Sequence, residues 1–219
     1  MCFPMRISAG EWSWISEGRK VRTDFSRVSE NLRRRGYSVR VFDGKEEASD
    51  YLDKVIHRQS VGIGGSSTID SLDVYDRLCR HNEVFWHWKK NPDGARKDAM
   101  NTDVYLCSTN ALAETGEMVN IDGIGNRAAS MLFGHERVYY VVGRNKLVSD
   151  YAAAVWRARN IAAPQRARQL RVNAPCAAKA DRCYDCQGPG RICKGMVTLW
   201  GPMNCMRAEV LLVDEDLGL

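Results

Sequence analysis

The chain has 219 residues, with 32 Lys and Arg against 27 Asp and Glu and a formal net charge of +5. That length suits one sizeable α/β domain with a small appendage and is too short for two full domains. The basic residues are scattered rather than gathered in a run, which argues against a nucleic-acid partner, and no apolar stretch is long enough to span a membrane.

The opening "MCFPMRISAGEWSWISEGRK" has no apolar core behind basic residues, so no signal peptide is expected and the protein is read as cytoplasmic. Its Trp12 and Trp14 are suited to docking a partner or packing on the domain. In a reducing compartment the eight cysteines point to metal or redox work rather than to disulfides.

Phe25, Val28 and Leu32 recur at helical spacing, and Gly36 follows as a stop. "YSVRVF" alternates as a strand, and "KEEASDYLDKVIHR" puts Ala48, Leu52, Val55 and Ile56 on one helical face. "SVGIG" is a short buried strand, "TIDSLDVYDRLC" a helix, "EVFW" a strand and "TDVYLCS" a strong buried strand. A turn-rich region from Thr109 to Asn126 is interrupted by "EMVNI". "RVYYVVG" and "SDYAAAVWRARNIA" are the clearest strand and helix, and Pro164 is expected to end or kink the latter. Strands alternating with helices predict a mainly parallel sheet covered on both faces. The domain is expected over residues 1–170, with 171–219 a cysteine-rich extension whose "MVTLW" and "AEVLLVDED" add an edge strand.

Three motifs carry chemistry. In "VGIGGSST", Gly62, Gly64 and Gly65 follow a strand, and Ser66, Ser67 and Thr68 open a helix, so backbone N–H groups can converge on an anion. The lysine of a Walker A loop and the third glycine of a dinucleotide fingerprint are absent, and a capped glycine turn needs no ligand. In "NALAETGEMVNIDGIGNR", Glu114 is expected to project at the carboxyl end of the sheet. Asp122, Asn126 and Arg127 offer a carboxylate, an amide and a guanidinium to a small carboxylate or phosphate; ordinary turn chemistry and an Asp122–Arg127 pair are the structural alternative. His135, at a strand entrance, reads as a hydrogen-bonding residue before a catalyst.

The third motif is "PCAAKADRCYDCQGPGRICK", in which Cys176, Cys183, Cys186 and Cys193 have the spacing C-x6-C-x2-C-x6-C. Four thiolates in one short segment suit a metal centre. A single C-x2-C flanked at equal distance by outer cysteines favours an iron–sulfur cluster, 4Fe–4S first, over zinc, which usually takes two C-x2-C knuckles. Cys205 is a spare ligand candidate.

"GIGGSSTID", "NALAETGEMV", "DGIGNR" and "GHERVYYVVGRNKLV" together resemble the lactate-utilization (LUD) domain family, over about Asn31 to Leu170. The cysteine segment resembles the tail of its stand-alone members. The resemblance implies a three-layer Rossmann-like sandwich similar to the ribose-phosphate isomerase and CoA-transferase group. It also implies a role tied to bacterial lactate oxidation beside iron–sulfur redox partner subunits. In the CoA-transferase relatives a Glu in a Glu-x-Gly turn acts as nucleophile, and Glu114-Thr115-Gly116 is similar in form.

The expected function is a lactate-utilization-type redox accessory protein or subunit of an oxidoreductase, carrying one cluster and binding a small anionic metabolite. The alternatives are a phosphosugar isomerase or acyl-CoA transferase using Glu114 with a structural zinc, and a non-catalytic metabolite sensor.

Overall fold

The computed structural model describes residues 23–89 and 92–219; Trp12 and Trp14 lie outside them. Helix α1 (Ser26–Arg34) buries Val28 and Leu32 beside Phe25, and Gly36 at φ 96° reverses the chain into β1 (Ser38–Phe42). Helix α2 (Lys45–Val55) has Glu46 and Glu47 in its first turn and Lys54 in its last, which complements the helix dipole. It leads to β2 (Ser60–Ile63). The predicted helix over "TIDSLDVYDRLC" is divided into α3 (Ser67–Ser71) and α4 (Tyr75–Leu78), because Asp73 takes a left-handed conformation at φ 52°.

Next come β3 (Glu83–Trp86), α5 (Pro92–Asp98) and β4 (Val104–Cys107). The turn-rich region after β4 is a hairpin of β5 (Ala111–Ala113) and β6 (Met118–Asp122), followed by α6 (Asn126–Leu132). Strand β7 (Arg137–Gly143) runs through a short 3-10 turn into β8 (Leu147–Val148).

Helix α7 (Tyr151–Arg157) is capped by Asp150, whose carboxylate accepts from Ala153 N at 2.8 Å. Pro164 does not end the helical run. A π-helical stretch, Ala158–Ala162, precedes α8 (Ala163–Gln169), and Pro164 falls in the first turn of α8, where its missing N–H costs little. The chain closes with α9 (Pro175–Lys179), β9 (Gly195–Leu199) and β10 (Arg207–Val213).

The main sheet is parallel throughout, in the order β1-β10-β7-β4-β2-β3. Alternate residues feed two cores. Tyr105, Cys107, Val138, Tyr140, Val210 and Leu212 pack with α1 and with Leu112, Met118 and Leu199 of a smaller sheet. Val104, Leu106, Tyr139, Val141, Leu211 and Val213 pack with Leu52 and Ile56 on the helical face and with Ile69 and Leu78. This is the expected Rossmann-like α/β sandwich.

The smaller sheet has the order β8-β5-β6-β9, and Ala154 and Ala158 pack on its Ala111, Ala113 and Val119. Strand β9 is an edge of this smaller sheet, whereas β10 lies inside the main sheet between β1 and β7, so the C-terminal segment gives the main sheet an interior strand in place of the expected edge strand.

Candidate functional site

The loops leaving the carboxyl ends of β2, β3, β4 and β7 surround a cleft of about 430 Å³. Open parallel sheets place ligands at that end. Its walls include Gly65 to Thr68, His87 and Trp88, Ser108 to Asn110, Asn126 and Arg127, Lys146 and Arg166.

Lys146 follows β7 and is 4% exposed. Its Nζ donates to Thr68 Oγ1 at 2.7 Å and to Ser108 Oγ at 2.9 Å. Thr68 Oγ1 donates onward to Leu217 O, and Ser108 Oγ to Thr109 O. Burial, then repulsion from Arg157 and Arg127, brings the Lys146 amine down to about 7.

The neighbouring guanidiniums are held in place largely by backbone and amide oxygens. Arg127 Nη1 donates to Ser108 O and Asn120 Oδ1, and its Nη2 to Asn110 Oδ1 and Ile121 O, which commits both terminal nitrogens. Arg157, 5% exposed, donates to the carbonyls of Asn145 and Asn110 and to an oxygen of Leu219. Arg166 lies over the Trp88 ring at 4.9 Å and donates to Gln169 Oε1. Among the described residues, no Asp or Glu forms an ion pair with Lys146, Arg127, Arg157 or Arg166. The cleft therefore carries several basic groups, and the carboxylate that borders it, Asp122, makes no direct ion pair with any of them.

Several expected site residues meet here. Gly65, Ser66, Ser67, Thr68, Asp122, Asn126 and Arg127 all border the cleft. Ser66 Oγ accepts from Ile69 N at 3.2 Å, so its hydroxyl caps α3. Gly62 and Gly64 stand behind the wall. A Cβ on Gly62 would lie 2.3 Å from Ala99 O, and one on Gly64 would lie 2.7 Å from Tyr105 Oη and 3.3 Å from Arg127 Cγ. Their role is close packing.

Asp122 accepts from the N–H groups of Gly123, Ile124, Gly125 and Ala128, which fixes the loop into α6. Burial pushes its carboxyl up, but the backbone donors and the Arg127 charge outweigh this and leave it below the usual range. It serves as an anchor and makes no direct ion pair with Arg127.

Glu114 is elsewhere. It sits on the β5–β6 hairpin turn, its carboxylate 3.3 Å from Arg27 and its carbonyl accepting from Asn31 Nδ2, and it does not border the cleft. The turn points toward α1 rather than toward the carboxyl end of the main sheet, so the form of the Glu-x-Gly turn is present without the expected placement. His135 stands at the opposite, amino end of β7, bonded to Thr102 and stacked on Tyr105 at 4.8 Å, and burial lowers its pKa.

Cys176, Cys183, Cys186 and Cys193 line one small pocket with Arg159, Ala163 and Arg191, and all four thiols are free. Burial pushes Cys176 and Cys193 up. Arg191 ties the loop together through the carbonyls of Cys193 and Cys186 and the carboxylate of Asp185. Among the described residues no three His, Cys, Asp or Glu side chains are grouped closely enough to hold an ion as they stand. The donors thus suit a soft metal centre in number and chemistry, and the loop would have to draw inward to close on one. Arg191 and Cys193 border both this pocket and the cleft, so the two share a wall.

Lys146 and Arg166, which border the cleft, were not evident as site residues from sequence. The available signal was a lysine in "GRNKLV" directly after the strongest strand, at the sheet end where ligands bind.

No curated protein matches the chain. A crystal structure of a DUF162 family protein from Deinococcus radiodurans superposes with a TM-score of 0.51 at 13% identity, covering 85% of this chain and 94% of that one, which is a likeness of fold. The LUD domain family model matches residues 25–213, so this chain belongs to the LUD domain family.

Proposed function

We propose that the chain is a lactate-utilization-type redox accessory protein that binds a small anionic metabolite in the cleft at the carboxyl ends of β2, β4 and β7. The observation that carries this reading is the pair of guanidiniums bordering the cleft, Arg127 and Arg166, neither of which is ion-paired with an Asp or Glu among the described residues. Burying such charge is costly unless an anion completes the site. The hydroxyl of Ser67 and the Asn126 amide add neutral donors beside the cations.

In the same reading Cys176, Cys183, Cys186 and Cys193 hold an iron–sulfur cluster. A bound cluster supplies one-electron transfer beside the metabolite. What this chain contributes is the arginine-rich surround, Arg159 and Arg191, which offsets negative charge on sulfur, and the wall shared with the cleft.

Two measurements test the proposal. Thermal stabilisation by L-lactate, glycolate and inorganic phosphate is expected, and Arg166→Gln should weaken the response about tenfold, the loss of one charge-assisted contact. If none of these anions stabilises the protein, the cleft reading is wrong. Iron and acid-labile sulfide in protein purified without oxygen are expected in matching amounts, and a Cys183→Ser, Cys186→Ser double variant should lose both. Zinc without sulfide would make the cysteine loop a structural clip.

A further inference from the structure

Two guanidiniums near Lys146 have fixed employment. Arg127 and Arg157 spend their N–H groups on backbone and amide oxygens. Lys146 differs. Its two hydroxyl partners each donate their own hydrogen to a carbonyl, Thr68 Oγ1 to Leu217 O at 3.2 Å and Ser108 Oγ to Thr109 O at 3.4 Å, so toward Nζ they act as acceptors. Two N–H bonds of a neutral amine satisfy them, and the lone pair is left over. Among the described residues no Asp or Glu is paired with Nζ, so no carboxylate favours a third proton on it.

Burial beside Arg157 and Arg127 favours the neutral amine; the Cys107 thiol is the group that opposes this. Desolvation together with neighbouring cations is a recognised route to a nucleophilic lysine. Arg127 and Arg166 in the cleft wall attract a carboxylate, so one cleft gathers both halves of a reactant, an acid group and an electrophilic carbon.

We infer that Lys146 Nζ forms an imine with the carbonyl carbon of a small oxo acid bound in the cleft. The nitrogen lone pair attacks the carbonyl carbon, and the C=O π electrons move to oxygen, which takes up a proton. The carbinolamine then loses water, nitrogen gives up its remaining proton, and a C=N bond replaces C=O. Amine plus carbonyl gives imine plus water, with no oxidant or reductant required. This inference rests on the anion-binding reading of the cleft, and its failure can be told apart from the failure of that reading.

The test uses the full-length protein with pyruvate as probe, with and without sodium borohydride, across pH 6 to 9. Reduction of the imine leaves a secondary amine, so the expected product is a single adduct with the mass of pyruvate less one oxygen, mapped to Lys146. Exposed lysines are almost wholly protonated near neutral pH, so labelling at Lys146 should exceed that at any of them by about a hundredfold. Acetone, which lacks the acid group, should label it far less. Lys146→Arg, which has no neutral amine, should form no adduct, and the peptide map of the unmodified protein decides the matter if that variant does not fold. Stabilisation by pyruvate without any adduct at Lys146, or labelling spread evenly over surface lysines, overturns the imine and leaves the cleft standing. Neither stabilisation nor adduct overturns both.

Discussion

Lys146→Met is the most direct probe of the buried amine, since methionine is of similar length and carries no charge. In the unfolded chain the amine titrates near its ordinary 10.5, and in the folded protein near 7. Above pH 10.5 both states are neutral and the lysine costs nothing. As the pH falls, the unfolded chain takes up a proton that the folded protein refuses, so stability declines until the folded amine protonates near pH 7. The accumulated cost at pH 7 is about 4–5 kcal/mol. Against it stand the two hydrogen bonds to Thr68 and Ser108, worth about 1 kcal/mol each.

The variant should therefore be more stable than the parent by about 2–3 kcal/mol at pH 7, with the difference shrinking to near zero by pH 9. Urea unfolding at pH 7, 8 and 9 measures it. The raised thiol of Cys107 and phenol of Tyr105 titrate in both proteins and largely cancel in the comparison. A variant no more stable than its parent at pH 7, or a difference independent of pH, would refute the reasoning.

Three further predictions follow from the same geometry. Gly64→Val drives a side chain against Tyr105 Oη and Arg127 Cγ; it should cost about 1–3 kcal/mol by overpacking and weaken phosphate binding through displacement of Arg127, as read by melting and by calorimetry. Asp122→Ala removes four backbone hydrogen bonds at the entry to α6 and should destabilise by about 2–4 kcal/mol; because its carboxyl sits below the usual range, the parent's advantage over the variant should fade as the pH drops through that lowered value. Glu114→Gln removes only a partly exposed pair with Arg27, so unfolding should shift by less than about 1 kcal/mol and anion binding should not change; a large loss of binding would return Glu114 to the site.

Periodicity and glycine placement made the main sheet legible. β4 and β7 read as buried strands because Val104 to Cys107 and Val138 to Val142 are apolar in unbroken runs, the signature of a strand covered on both faces. The smaller sheet was harder to see. Ala111 to Ala113 and Leu147–Val148 are too short to show a period, and they become strands by pairing with each other and with β6. The helix break at Asp73 and the π stretch before Pro164 depend on tertiary packing that local propensity does not encode.

At the site, Arg127 and the Ser66–Thr68 turn could be found from residue type and position, whereas Glu114 was misplaced because a turn motif does not say which way its hairpin leans. Lys146 was missed because a single lysine after a strand ordinarily snorkels to solvent; its burial is decided by Thr68, Ser108 and the C-terminal residues that close over it.

Strand β10 sits between β1 and β7, and among the described residues β1 pairs with no other strand, in the register Ser38↔Glu209 to Phe42↔Val213. During synthesis, then, the first strand waits without a neighbour while some 170 residues are added. Strands β2, β3, β4 and β7 can assemble in the meantime, but β1 has a sheet to join only when residues 207–213 clear the ribosome. Loss of those residues would remove the strand that links β1 to the remaining four and leave the inner edge of β7 bare, an invitation to pair with another chain.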